Sequence, residues 1–369
     1  MKSRVVVLRC DSYDTEQVYK TISKGLDLLG GIEGFIKPAE KILLKPNLLN
    51  RAAPDRAVTT HPAVVEAMIR LLLEKNYASI SYGDSPGYPG SGEKTAEICG
   101  IKAVTDKYKL PFGNFSKSTA INFPEGKTAK TFEICNAALN SDAIINICKM
   151  KTHQLERITG AVKNSLGCVC GLNKAKMHIK YPNPDSFGKM LVDLNRYLKV
   201  RLHIMDGITA MEGNGPMSGD SIQMNCILIS TDPVALDAVF CRIIGLDPYL
   251  VPTNKFGEEF GLGNAKESDI EILGDGISGL VNNKYKVDRS VKKTRSSAKR
   301  PVIIKDKCKR CGLCIDSCPV EGKALRFPNE DRAKVPVYDY DKCIRCYCCQ
   351  ELCPEKAISV KTPLLGRIF

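Results

Sequence analysis

Short apolar runs recur along the first three quarters of the chain, at residues 5–8, 42–44, 80–82, 143–148, 202–205, 226–229 and 270–273. Between several of them the apolar positions move to a helical period, over about 15–29, 62–75, 93–98, 186–198 and 233–244. Brief apolar runs read as buried strands, and the longer periodic stretches as amphipathic helices. Pro62 and Pro233 suit a first helical turn, with Thr60 or His61 and Asp232 as candidate N-caps. The alternation predicts an α/β fold over residues 1–282, with a mostly parallel sheet and flanking helices. The stretch DGITAMEGNGPMSGD (206–220) reads as a long loop folding over a pocket. Pro216 and the lack of a strand–turn–helix frame argue against a phosphate-binding fingerprint there.

Polar residues gather where the apolar runs stop. ILL leads into Lys45, Pro46 and Asn47; ISYG into Asp84; AIINIC into Lys149, Lys151 and His153; LHIM into Asp206. In open α/β sheets a ligand lies outside the carboxyl ends of the strands, so these residues are expected to share one site. Lys149, Lys151 and His153 alternate and would share a strand face. In a helix after them, Thr159 would stack with Lys163 and Gly160 with Asn164. The expected site takes Lys151, His153 and Lys163 as catalytic. Lys45, Asn47, His61, Asp84, Lys149, Asn164 and His178 are expected to bind substrate. Such a cationic pocket suits a small anion, a carboxylate or phosphate, with His or Lys moving a proton. His203 reads as a packing residue, and Cys168 and Cys170 as core. Asp237, the lone acid in PVALDAVF, needs a partner, for which a site lysine is the candidate.

The chain has 369 residues and a net charge of +13. Residues 283–300 carry a surplus of +7 and residues 301–369 one of +4, leaving +2 for residues 1–282. The basicity therefore belongs to a linker over 283–300 and not to a charged domain face. No nucleic-acid motif accompanies it, so nucleic acid is not an expected partner. No apolar run is long enough to span a bilayer, and the N-terminal stretch lacks signal-peptide features. A cytoplasmic protein without membrane association is the expectation.

Seventeen cysteines without an export signal point to metal and away from disulfides. CKRCGLCIDSCP (308–319) and CIRCYCCQELCP (343–354) share the spacing C-x2-C-x2-C-x3-C-P. Three thiolates from one tight loop and a fourth from the other run would satisfy an iron–sulfur cubane. One cluster would take Cys308, Cys311, Cys314 and Cys353, and the other Cys343, Cys346, Cys349 and Cys318. Residues 301–369 resemble a bacterial-type ferredoxin domain, a small α+β unit with two 4Fe–4S clusters. The segment PNEDRAKVPVYDYD between the runs reads as a β-hairpin insertion, and Cys348 as an unligated bystander.

LLKPNLL, TTHP, GDSPG, INICKMKTH, TGAVKNSLG, MEGNGPMSG and TDPVALDA occur in that order within residues 43–238. These motifs resemble the family catalogued as domain of unknown function 362, whose members often carry a C-terminal two-cluster ferredoxin module. The resemblance implies an α/β domain in a redox setting and supplies no substrate. The order His153, Gly160, Lys163 is similar to the N-terminal half of nickel-dependent lactate racemases. The function expected is a ferredoxin-fused oxidoreductase, taking electrons from a redox partner protein and passing them to an anionic substrate or cofactor. The alternatives are a non-catalytic electron carrier that docks a partner through the α/β domain, and a metal- or cofactor-handling enzyme.

Overall fold

The computed structural model describes residues 2–87, 91–171, 173–291 and 299–362. Its first ten strands are β1 (Ser3–Arg9), β2 (Ile42–Pro46), β3 (Ile80–Tyr82), β4 (Ser118–Asn122), β5 (Thr131–Cys135), β6 (Ala143–His153), β7 (Arg157–Thr159), β8 (Leu202–Glu212), β9 (Asp220–Ser230) and β10 (Ile270–Gly274). Eight of them make one sheet in the order β10-β1-β9-β8-β6-β2-β3, with β7 added against β6. β9 runs antiparallel to both neighbours and β7 to β6, while the other pairings are parallel. The carboxyl ends of β2, β3, β6 and β8 therefore lie along one edge.

The helices that follow in chain order are α1 (Thr15–Leu29), α2 (Pro62–Glu74), α3 (Gly92–Ile98), α4 (Ile101–Lys107), α5 (Asn136–Leu139), α6 (Ala161–Asn164), α7 (Asn173–Lys180), α8 (Pro184–Leu198), α9 (Pro233–Ile243) and α10 (Pro252–Glu259). Alternating strand residues feed two cores. Val6, Leu44, Ile145 and Ile204 pack with Ile22 of α1 and Met68 of α2. Val5, Leu43, Ile144 and Met205 pack with Val162 of α6, Leu191 of α8 and Val239 of α9. Each fully buried aliphatic side chain contributes about 1.5–3 kcal/mol, enough in sum to hold dehydrated charges at the sheet edge. Caps set the helix starts. The Asp14 carboxylate accepts from Gln17 N at 2.9 Å, His61 Nδ1 from Ala63 N at 3.2 Å, and Asp232 from Val234 N at 2.8 Å.

Two expected boundaries move. β8 and β9 pair as far as Glu212 and Asp220, so the long loop expected over 206–220 shrinks to 213–219. Arg157–Thr159 is a strand, and helix α6 begins only at Ala161. Thr159 therefore does not stack on Lys163 in a helix: Arg157, at φ 67°, turns the chain back onto β6 first.

The C-terminal part holds β11 (Arg300–Ile303), α11 (Leu313–Asp316), β12 (Leu325–Arg326), β13 (Val337–Tyr338), α12 (Cys348–Glu351) and β14 (Ile358–Lys361). β11 pairs with β14, and β12 with β13; the hairpin between the cysteine runs is present, but its first strand, Leu325–Arg326, lies just before the expected segment 328–341. The start of the basic stretch packs against the sheet domain. Tyr285 is buried and donates to Met211 O at 2.6 Å, and Arg289 donates to Ile244 O at 2.7 Å. Its residues 292–298 lie outside the described residues. No helix among the described residues is long and apolar enough to cross a membrane.

Candidate functional site

The lysines at the strand ends are closed in. Lys149 and Asp206 are register partners on β6 and β8, and Lys149 Nζ lies 2.8 Å from Asp206 Oδ2 with both side chains fully buried. Tyr13 OH donates to Asp206 Oδ1 at 2.8 Å and accepts from Lys149 Nζ at 2.9 Å, and His61 N donates to Asp206 Oδ2 at 2.9 Å. The His61 ring stacks on Tyr13 at 3.5 Å, and burial pushes its pKa down to about 4. His61 is thus a neutral helix cap beside the ion pair. Burial also lowers the Lys149 pKa, opposed by Asp206.

Lys45 is the second such pair, with Nζ 2.9 Å from Asp84 Oδ1 and almost no exposure on either side. The other Asp84 oxygen accepts from Leu48 N at 2.8 Å. Gly167 makes room for the pair. A Cβ there would lie 1.7 Å from Asp84 Oδ1 and 2.7 Å from Lys45 Nζ. Lys151 is fully buried and donates to Asn47 Oδ1 at 3.0 Å and Val58 O at 2.6 Å; burial drives its pKa well down. The amides then form a directed chain across the sheet. Asn47 Nδ2 donates to Asn164 Oδ1 at 2.8 Å, Asn164 Nδ2 to Asn146 Oδ1 at 2.7 Å, and Asn146 Nδ2 sits 3.0 Å from His203 Nδ1. His203, expected as simple packing, ends this chain. Asp237 is not a lysine's partner: its carboxylate accepts from Ala161 N at 2.6 Å and Val162 N at 3.1 Å, capping α6. Gly160 permits that approach, since a Cβ would stand 2.0 Å from Asp237 Oδ1.

Beyond this closed core lies a second polar group with open valences. His153 Nδ1 accepts from Leu155 N and Glu156 N, both at 3.1 Å, so the ring proton belongs on Nε2. Nε2 lies 2.8 Å from Glu351 Oε1, which comes from α12 inside the second cysteine-rich run. Burial and Lys163 hold His153 neutral, down at about 4. Burial opposes ionisation of Glu351, but His153 and Lys163 pull its pKa down to about 2. His178 is buried, stacks on Phe187 at 4.3 Å and leaves Nδ1 without a partner among the described residues. Burial lowers its pKa to about 4, and its electrostatic neighbours are Glu351, Lys163 and His153. Glu156 has no exposure and neither carboxylate oxygen has a partner among the described residues; burial raises it to about 8 against the pull of Lys163. Half-buried Lys163 is the cation common to all four.

Expected residues thus divide. Lys45, Asn47, His61, Asp84, Lys149, Lys151 and Asn164 build the closed core, while His153, Lys163 and His178 meet in the second group. Glu156, Glu351, Tyr13 and Asn146 were not expected. Asn146 alone carried a signal, as a polar residue inside an apolar run.

α12 is clamped onto this edge. Gln350 Nε2 donates to Asn214 O at 2.8 Å, and Asn214 Nδ2 donates to Ile358 O at 3.0 Å. A Cβ on Gly87 would meet Leu352 Cδ2 at 2.6 Å, so the β3 loop and α12 touch closely.

The eight expected thiols fall into two sets. Burial first, then Cys353, Cys308 and Cys311, raises the Cys314 pKa to about 12, which places these four together. They line one narrow cavity. Cys343 is raised by burial and by its neighbours Cys346 and Cys318, and Cys349 by burial and by Cys346 and Cys343. Four soft thiolates facing one small space fit an iron–sulfur group, and N–H donors to sulfur suit it further. Ala357 N donates to Cys353 Sγ and Ala324 N to Cys318 Sγ, each at 3.3 Å. Cys348 is buried beside Cys346.

Residues 42–242 match the family model described as a domain of unknown function, DUF362, and residues 291–357 match a 4Fe-4S dicluster domain. The chain is 35% identical over 263 residues to a thylakoid-associated protein of Synechocystis sp., covering 71% of this chain and 81% of that one. Among solved structures, a lactate racemase apoprotein from Thermoanaerobacterium thermosaccharolyticum aligns with a TM-score of 0.41 at 12% identity, over 65% of this chain and 56% of that one. A structural-genomics target from Thermotoga maritima aligns with a TM-score of 0.38 at 13% identity, over 68% of this chain and 60% of that one. The chain therefore spans less than two thirds of those solved chains. With a family model covering residues 42–242 and a 4Fe–4S domain behind it, the chain belongs to the DUF362 family.

Proposed function

We propose that this protein is an iron–sulfur electron-transfer protein, an oxidoreductase whose α/β domain holds a small anionic acceptor. The observation that carries the reading is the 2.8 Å contact between Glu351 and His153. It joins α12, the helix that carries Cys349, to the end of β6, so the thiol-rich arm and the strand-end residues form one continuous polar region. Cys308, Cys311, Cys314 and Cys353 would hold one 4Fe–4S cluster, and Cys318, Cys343, Cys346 and Cys349 a second. When bound, each cluster supplies single-electron transfer.

The remaining roles belong to this chain's side chains. Lys163 offers the positive charge that an anionic acceptor needs, and Glu351 is already committed to His153. Glu156, held protonated near neutral pH by burial, has a proton to give and no internal acceptor among the described residues. The Nδ1 of His178, without a partner among the described residues, offers a second hydrogen-bonding position. The lysines of the closed core keep the frame rigid and take no part in holding the acceptor.

Iron and sulfide analysis after anaerobic purification tests the reading. About eight irons per chain are expected from two cubanes, and about two zincs in their place would overturn it. Mass spectrometry of small molecules retained by the native protein tests the acceptor site. An anion present in the unaltered protein and absent from Lys163→Ala supports it; an identical set in both overturns it.

A further inference from the structure

The two thiol sets differ in how they meet solvent. Cys318, Cys343, Cys346, Cys349 and Cys353 are buried, Cys308 and Cys314 are half-buried, and Cys311 is exposed. Around Cys308 and Cys311 stand Lys305, Lys307, Lys309 and Arg310, all exposed. None of the four enters an ion pair with another described residue. Two exposed acids, Asp306 and Glu355, share the neighbourhood, and Lys309, Arg310 and Glu355 line the mouth of the cavity between the four thiols. Four cations against two acids leave a positive rim around the solvent-facing set.

We propose that this rim is the docking surface for an acidic electron-carrier protein. The carrier would give one electron per encounter to the iron–sulfur group that Cys308, Cys311, Cys314 and Cys353 would hold, with no proton or bond exchanged. The inference rests on the iron–sulfur reading above and adds the place of entry and the charge of the partner. Exposed lysines contribute little to affinity, because water and salt screen them. They act on the encounter instead: complementary fields raise association rates by factors of ten to a thousand. Transient redox complexes have small interfaces and depend on this steering more than on buried area. The same cations could instead serve only to balance the negative charge of the iron–sulfur group. That role would alter reduction by any donor, whereas docking affects an acidic donor alone.

The test uses the full chain with its iron in place and follows bleaching of the iron–sulfur absorbance in stopped flow. A small acidic two-iron ferredoxin and the cationic methyl viologen radical serve as reductants. With the ferredoxin, raising salt from about 20 mM to about 300 mM is expected to slow reduction on the order of tenfold. The double variant Lys307→Glu, Lys309→Glu should lose a similar factor at low salt, with its salt dependence flattened. Reduction by viologen should be unchanged or faster. A ferredoxin rate insensitive to both salt and charge reversal would overturn the proposal. So would a variant slowed equally with viologen, which would mark an altered iron–sulfur group. Absence of iron from the unaltered chain would overturn the underlying reading, a different failure from a charge-independent rate.

Discussion

The sheet edge has two sides built from similar residues and put to opposite use. On one side Lys149 meets Asp206 and Lys45 meets Asp84, at 2.8 and 2.9 Å, each pair sealed from water. On the other, Glu156 and His178 are as deeply buried but keep atoms without partners among the described residues. A buried charge held in an ion pair is scaffolding, since its charge is compensated. A buried polar atom left open is costly unless something arrives to bond it, so the second side is where the proposed acceptor would bond. Cationic character alone did not distinguish the two.

The largest expected effect comes from breaking the closed side. Lys149→Met would leave Asp206 buried beside only Tyr13 OH and His61 N. It should cost about 3–5 kcal/mol in denaturant unfolding. A loss below about 1 kcal/mol would mean that the pair is not the frame described. Gly167→Ala comes next. Its methyl would press on the Lys45–Asp84 pair, and a loss of about 1–3 kcal/mol is expected in the same experiment.

The open side should show itself in pH dependence. Glu156 is raised from 4.5 to about 8, so between those values the native state holds a proton that the unfolded state has released. Stability from this group therefore falls as pH rises across that window, by up to about 1.4 kcal/mol per pH unit. Glu156→Gln should remove that slope. His178 is lowered from 6.5 to about 4, so its contribution has the other sign and is lost as pH falls through that window. His178→Gln should flatten the acid limb, read from unfolding curves at a series of pH values. Identical pH profiles for variant and parent would erase the contrast between the two sides. The smallest effect is expected at the surface. Lys102 and Asp106 lie 2.7 Å apart on α4, yet Lys102→Ala should leave the melting temperature unchanged, because water screens the pair.

Local patterns carried much of this molecule into view. Every apolar run chosen as a strand lies in the large sheet, and α1, α2, α8 and α9 occupy their periodic stretches. The doubled cysteine spacing announced the 4Fe–4S domain, because a cluster's geometry demands ligands at short fixed intervals. Those features depend on neighbours a few residues apart. The weakly apolar hairpin β4–β5 and the strand β7 escaped notice, since their pairing comes from the fold and not from periodicity.

Which polar residues are frame and which are open was decided only in three dimensions. Tyr13 reaches Asp206, Asn47 reaches Asn164, and His153 reaches Glu351, each pair more than a hundred residues apart along the chain. Nothing in the neighbourhood of Lys149 along the chain reveals that Asp206 will neutralise it. Nothing near Glu351 reveals that it will meet a histidine on β6. Spacing along the chain sets which atoms can cooperate within a turn or a loop. Burial, charge compensation and open valence depend on what the folded sheet brings alongside, and that settled where Lys163, His178 and Glu156 meet.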